Sequence, residues 1–189
     1  MTTPIYLIGY MASGKTTAGK ILAEKLGWPF VDLDVAFEEI NGLTTGEYIR
    51  KYGIEAFRKK EKECVEDLAD MPIQKVIYAT GGGYPCWEDN MDCLLELGTS
   101  FYLKWSPEQL TARLFLSGIE HRPVAEQGMN DAPGDTPLEK MLHFVSAHLA
   151  DRDPIYSRAN YTVTAPTGLD VMQDELLAEQ MYQIIANSK

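Results

Sequence analysis

The stretch Gly9-Tyr10-Met11-Ala12-Ser13-Gly14-Lys15-Thr16 carries the pattern GxxxxGK[ST], after the apolar run Ile5-Tyr6-Leu7-Ile8 and before a helix-like segment. This is the chemistry of a phosphate cradle. Gly9 and Gly14 let backbone N–H groups turn inward around an anion, the helix that begins near Gly14 aims its positive end at the same point, and Lys15 adds a full charge. Met11, Ala12, Ser13, Gly14, Lys15 and Thr17 are thereby predicted to line a site for a nucleoside triphosphate. The Thr16 hydroxyl is placed to ligate the Mg²⁺ that bridges the terminal phosphates.

A second set of residues could serve a phosphate acceptor. Asp32 and Asp34 lie two apart in Pro29-Phe30-Val31-Asp32-Leu33-Asp34, read as a strand, so both are expected to face one side of its C-terminal end. One would serve the metal shell through water and the other a second substrate; away from a phosphate loop the same pair reads as a solvated turn. Arg58 sits in Phe57-Arg58-Lys59-Lys60-Glu61, with Phe57 and Glu61 on one helix face and Arg58 to the side. A guanidinium fork suits a carboxylate or phosphate, although this segment taken alone also reads as a solvated basic helix surface. Arg113 and Arg122 flank a long polar stretch, and Arg152 follows in Asp151-Arg152-Asp153-Pro154, read as lying after a helix. Arginines gathered around a phosphate loop are what phosphoryl transfer needs, because charge spreads over the moving group and positioning supplies most of the rate. His121, His143 and His148 show no ligand spacing, and His143 with His148 reads as helix surface; they are given no role.

The elements that must position these groups alternate. Ala18, Ile21, Leu22 and Leu26 recur at helical spacing up to Gly27. Thr44-x-x-Glu47 predicts a capping box opening a helix through Tyr52, and a longer helix follows Gly53, so that residues of about 35–70 form an insertion after the second strand. Val76-Ile77-Tyr78-Ala79 is a compact apolar run, as for a strand buried on both faces, and it ends in Thr80-Gly81-Gly82-Gly83, where backbone can approach a ligand closely. A helix from about Trp87 to Leu97, a strand from Ser100 to Trp105 and a helix opened by Ser106-Pro107-Glu108-Gln109 come next. From Ser117 to Thr136 the apolar period vanishes, as in a lid. Helical spacing resumes at Leu138 and runs to Leu149, then Tyr161–Thr164 reads as the last strand and Met172–Ile185 as the last helix. Such alternation predicts an α/β protein with a mostly parallel sheet covered on both faces.

The 189 residues suit one compact domain spanning 1–189, expected to work as a monomer. No apolar run approaches the roughly 20 residues that span a bilayer, and Met1-Thr2-Thr3-Pro4 leads into no signal-peptide core, so a cytoplasmic protein without a membrane partner is expected. The formal net charge of −11 repels polyanions and argues against nucleic acid as a partner. Cys64, Cys86 and Cys93 lack CxxC spacing and read as reduced, mostly packing thiols.

Taken in order, Gly9 to Thr16, Asp32-Leu33-Asp34, Phe57-Arg58 with Glu61, Thr80-Gly81-Gly82-Gly83, Arg122-Pro123 and Arg152-Asp153-Pro154-Ile155-Tyr156 resemble the shikimate kinase family from the first strand to the last. The resemblance implies a three-layer α/β/α P-loop kinase fold with a central five-stranded sheet and a lid at about 117–136. It implies Mg-dependent transfer of the ATP γ-phosphate to the 3-hydroxyl of shikimate, a step of chorismate and aromatic amino-acid synthesis. On the family pattern Asp34 contacts the acceptor hydroxyls as the base and Asp32 supports magnesium. Arg58 and Arg152 hold the acceptor carboxylate, Gly81, Gly82 and Gly83 line its pocket, and Glu61 orients Arg58. Lys15 and the lid residue Arg122 reach the phosphates, and Arg113 lies near the adenine. The departures are Val124-Ala125 where the family usually has two leucine-like residues, a longer segment up to Arg152, and only a loose adenine-side match at Ala165-Pro166-Thr167. The alternatives are a gluconate-kinase-like or other small-molecule P-loop kinase, which should lack the paired carboxylate-binding arginines, and a non-catalytic ATP-binding regulatory module, which would have no need of an acceptor pocket.

Overall fold

The computed structural model describes residues 3–69, 75–120, 122–167 and 172–188; His121 lies outside them. Among the described residues five strands form one sheet: β1 (Ile5–Ile8), β2 (Phe30–Asp32), β3 (Ile77–Ala79), β4 (Thr99–Lys104) and β5 (Tyr161–Thr164), in the order β2-β3-β1-β4-β5. Every pairing is parallel, so the expected mostly parallel sheet is fully so. Parallel strands need crossovers that cover both faces, which is why β1, β3 and the middle of β4 read as unbroken buried apolar runs. Tyr6 of β1 stacks on its register partner Tyr78 of β3 at a centroid distance of 5.2 Å.

The strand order places the site. From β1 the chain crosses toward the β2 edge through α1 (Lys15–Leu26), whereas from β3 it crosses the other way, to β4, through α5 (Asn90–Leu97). Right-handed crossovers in opposite directions put their helices on opposite faces. The C-terminal ends of β1 and β3 therefore part into a crevice, the usual ligand position in an open α/β sheet. The phosphate loop leaves β1 there and Thr80 to Gly83 leave β3 beside it, with Thr80 fastened to β1 through its amide (3.1 Å) and hydroxyl (3.2 Å) on the Leu7 carbonyl.

Three features differ from the sequence expectation. The second strand ends at Asp32, and Leu33–Asn41 is a helix, α2, capped by the Asp32 carboxylate accepting the Asp34 amide at 3.1 Å. Asp32 and Asp34 thus do not share a strand face; Asp34 projects from a first helical turn, and the cap bond turns the chain. The lid stretch holds a nine-residue helix, α7 (Pro123–Asp131), whose start is marked by proline in its first turn. Arg152 lies within α8 (Pro137–Tyr156) rather than beyond a helix. Smaller differences are a 3₁₀ turn at Tyr84–Cys86 and a later start for α5.

The capping box predicted at Thr44/Glu47 is formed, opening α3 (Thr45–Tyr52), and the helix start predicted at Ser106 is found at α6 (Pro107–Ser117), where Ser106 and Gln109 also form a capping box. With α4 (Ile54–Ala69), helices α2 and α3 build a satellite core in which Phe37, Phe57 and Cys64 are buried against Tyr48 and Ile49. That core carries the next residue, Arg58, toward the crevice. Helix α9 (Gln173–Asn187) packs on α1 and closes the fold.

Candidate active site

Two adjoining clefts open at the crevice. The larger, about 630 Å³, is lined by loop residues Met11 to Thr17 together with Asp32, Asp34, Arg113 and Arg122. The smaller, about 140 Å³, is lined by Arg58, Glu61, Gly81, Gly82, Gly83 and Arg152 among others. Met11, Asp34, Gly82 and Arg122 belong to both walls, so a group bound in one cleft meets a group bound in the other at Asp34.

In the larger cleft the loop is braced from behind. The Trp105 indole N–H donates to the Ser13 carbonyl at 2.9 Å, and Arg113 Nε donates to the Ala12 carbonyl at 2.7 Å. Ala12 is held at φ 61°, a left-handed state that alanine seldom adopts, so the brace matters for the shape of the cradle. Arg113 also pairs with Asp174 at 3.0 Å and lies 4.4 Å from the Trp105 ring centroid. Lys15 is buried, its ammonium donating to the Gly9 carbonyl (2.9 Å), the Tyr10 carbonyl (2.8 Å) and Ser13 Oγ (3.3 Å). Burial pushes its pKa down to about 8 against the opposing pull of Asp34 and Asp32. Gly9 stands behind the cleft wall, serving Lys15 through its carbonyl. At the foot of the cleft Thr16 Oγ1 donates to Asp32 Oδ2 at 2.6 Å. Two hard oxygen donors from different elements converge there, a set that fits Mg²⁺, which keeps several waters and takes phosphate oxygens for the rest. Among the described residues no group of three or more His, Cys, Asp or Glu could hold a metal by itself.

The smaller cleft is shaped by glycine for want of room. A Cβ on Gly83 would overlap the Arg58 guanidinium, and one on Gly81 would overlap Glu61 Oε1 and lie 3.0 Å from Asp34 Oδ1. Arg58 and Glu61 form a buried ion pair, with side chains 12% and 4% exposed. Burial pushes the Glu61 pKa up to about 7 despite Arg58, and Glu61 Oε1 has no hydrogen-bond partner among the described residues. From α8, Arg152 Nη1 reaches the Gly82 carbonyl at 3.4 Å and the Tyr156 hydroxyl donates to the same oxygen. Burial, then the neighbouring Asp32, raises the Asp34 pKa, with Lys15 and Arg58 pulling it back. A carboxylate made more basic but kept beside two cations is suited to taking a proton from a hydroxyl.

The family model described as shikimate kinase matches residues 11–186. The chain belongs to the shikimate kinase family. A shikimate kinase of Bacteroides fragilis is 36% identical over 181 residues, covering 96% of this chain and 95% of that protein. The crystal structure of shikimate kinase from Bacteroides thetaiotaomicron superposes with a TM-score of 0.81 at 31% identity, over 97% of this chain and 98% of that one. The solved structure of Acinetobacter baumannii shikimate kinase in complex with shikimate gives a TM-score of 0.80 at 29% identity, over 100% of this chain and 96% of that one. As in its family, the protein is an ATP-dependent kinase on a P-loop α/β fold.

The structure brings the sequence-predicted site residues of this shikimate kinase family member to the two clefts, apart from Gly9. Thr45, Ile49, Pro123 and Val124 also line the smaller cleft, and Leu116, Ser117 and Gln173 the larger. Pro123 and Val124 were findable as the continuation of the lid motif; the others carry no local chemical signal. Ala165, Pro166 and Thr167 are not among the lining residues of the larger cleft, and the Pro166 carbonyl accepts from Gln109 Nε2 at 2.7 Å. No described helix is long and apolar enough to cross a membrane. The expectation for His148 fails: it is half-buried on α8 and bonded through Nδ1 to the Tyr10 hydroxyl at 2.8 Å. Its partner carries no signal near it in the sequence, because the loop it meets is 138 residues away.

Proposed function

We propose that the larger cleft holds ATP with Mg²⁺ and the smaller holds shikimate, and that the γ-phosphoryl group passes to the 3-hydroxyl where the clefts meet. The observation that carries this reading is Asp34 on the shared wall, flanked by Lys15 on the donor side and the Arg58 and Arg152 guanidinium groups on the acceptor side. A small ring acid offers one carboxylate for charge-assisted bonds, which explains two arginines around a glycine-walled pocket. Asp34 takes the hydroxyl proton as the oxygen attacks, Lys15 and Arg122 bear the charge spread over the transferred group, and Glu61 orients Arg58. Thr16 and Asp32 hold the magnesium, which when bound neutralises phosphate charge. Arg113 lies beside the nucleotide base. The protein acts as a single domain and as a cytoplasmic monomer, without nucleic acid or membrane as partners.

The test is coupled ADP release with shikimate, gluconate and nucleoside monophosphates as acceptors. Shikimate alone should stimulate release strongly. Stimulation by gluconate instead would overturn the substrate, and none by any acceptor would favour a regulatory nucleotide-binding module.

Lys15 adds a pH signature. Its folded pKa of about 8 lies below the ordinary lysine value, and bound triphosphate must raise it, because the ammonium exchanges neutral carbonyls for anionic oxygens. Binding therefore takes up a proton above pH about 8 and weakens as pH rises from there. Calorimetry of ATP binding at pH 9 in buffers of different ionisation enthalpy should show net proton uptake, with affinity lower than at pH 7. Uptake that is absent at pH 9 would contradict the buried, carbonyl-held ammonium.

A further inference from the structure

One stripe of α8 touches both halves of the site. His148, Arg152 and Tyr156 recur every four residues and so share a helix face. Tyr156 and Arg152 meet the Gly82 carbonyl of the acceptor pocket, while His148 meets Tyr10 of the phosphate loop, 138 residues away in sequence. Tyr10 is 1% exposed; its ring lies edge-on to the imidazole at 5.5 Å, and the Arg152 guanidinium carbon stands 6.0 Å from its centroid. Phe144, one turn before His148, packs on the imidazole at 5.0 Å.

The Tyr10 hydroxyl is not needed for the shape of the loop, because Trp105 and Arg113 already hold the Ser13 and Ala12 carbonyls. Nor does the end of α8 need it, since Tyr156 and the Asp153 bond to the Tyr102 hydroxyl (2.8 Å) fix the last turn. What the Tyr10–His148 bond adds is a tie between the donor loop and the turn of α8 that carries Arg152. Burial, with Arg152 and Arg58 opposing a further charge, pushes the His148 pKa down to about 4, so the imidazole is neutral at pH 7 and, in the tautomer protonated at Nε2, Nδ1 accepts.

We propose that His148 is a positioning residue: by accepting the Tyr10 hydroxyl at Nδ1 it sets where Arg152, and with it the acceptor carboxylate, stands relative to the phosphate loop. This rests on the reading of Arg152 as a carboxylate anchor given above. A tie of one hydrogen bond governs acceptor placement, and the separately braced donor loop keeps its grip on ATP.

Steady-state kinetics with shikimate and ATP on Tyr10→Phe, His148→Leu, the double variant and His148→Asn test it. Asparagine is chosen because its amide oxygen falls close to the position of Nδ1. Tyr10→Phe and His148→Leu should each raise the shikimate KM three- to tenfold, on the order of one hydrogen bond, with the ATP KM within about twofold of native. The double variant should be no worse than either single one, and His148→Asn should be near native. A folded Tyr10→Phe with a native shikimate KM, additive single effects, or His148→Asn as impaired as His148→Leu would each overturn the proposal. Native protein without shikimate-dependent ADP release would overturn the substrate reading and this proposal together, since Arg152 would then have no acceptor to place.

Discussion

Asp34→Asn is expected to lower kcat at least about a hundredfold, the scale of a positioned general base, while ATP binding measured by calorimetry at pH 7 stays within about threefold of native. The geometry makes the substitution a clean one. Asparagine is nearly isosteric, and the bond that caps α2 uses the backbone amide of residue 34 and the side chain of Asp32, so the helix start is retained. Asp34 stands on the wall common to both clefts, which on the proposed reading is where the acceptor hydroxyl meets the phosphoryl group. Its carboxylate also helps to keep the nearby Lys15 charged. Removing it should therefore move the Lys15 pKa further down and shift the weakening of ATP binding to lower pH. A kcat within threefold of native would remove Asp34 from the reaction.

Arg58→Ala should raise the shikimate KM about a hundredfold, as expected for losing a charge-assisted pair of bonds worth about 3 kcal/mol, with the ATP KM changed less than about threefold. Equal effects on both substrates would show that the guanidinium does not hold the acceptor. The same change has a cost in stability, because it leaves Glu61 buried without its cation. Breaking a buried pair from one side costs about 3–5 kcal/mol when the remaining charge cannot escape. Here it can escape by protonation. The Glu61 pKa stands at about 7 even with Arg58 pulling it down, above its ordinary value near 4.5, and it rises further in the variant. A carboxyl with a raised folded pKa binds more protons folded than unfolded, so stability is greatest below about pH 4.5 and declines as pH rises through the folded pKa. The deficit of Arg58→Ala against native protein should be small at pH 5, open above the native folded pKa of about 7 and reach about 1 kcal/mol at pH 8 in denaturant titrations, since one pKa unit is worth about 1.4 kcal/mol. Adding Glu61→Gln should return most of the stability and none of the shikimate KM. A deficit that does not vary with pH would place its origin elsewhere than in Glu61.

Much of the scaffold was legible locally. The GxxxxGK[ST] loop, the Thr44/Glu47 capping box, the Ser106 helix cap, the left-handed Gly27 and the apolar run into Thr80-Gly81-Gly82-Gly83 depend on hydrogen bonds and backbone freedom within a few residues, which the sequence states directly. The errors fell where local signals compete. Asp32 and Asp34 read as strand because Phe30 and Val31 favour one, but an aspartate is also a strong helix cap, and that role ended the strand and turned Asp34 toward the cleft. The lid read as irregular because its helix is short and mostly polar, with Ala125 its buried residue.

By itself, then, the amino-acid sequence determined the phosphate cradle, the alternation that forces a parallel sheet, and the residue types of an acceptor pocket. Only the tertiary structure decided that Arg58 stands against Gly83, that Arg152 reaches Gly82 across 70 residues, that Lys15 rests on its own loop carbonyls, and that Tyr10 meets His148. The physical reason is that these contacts are set by the strand order β2-β3-β1-β4-β5, which opens the crevice between β1 and β3 and lays α8 across it. That order follows from the global packing of layers on one core, and no stretch of a few residues contains it.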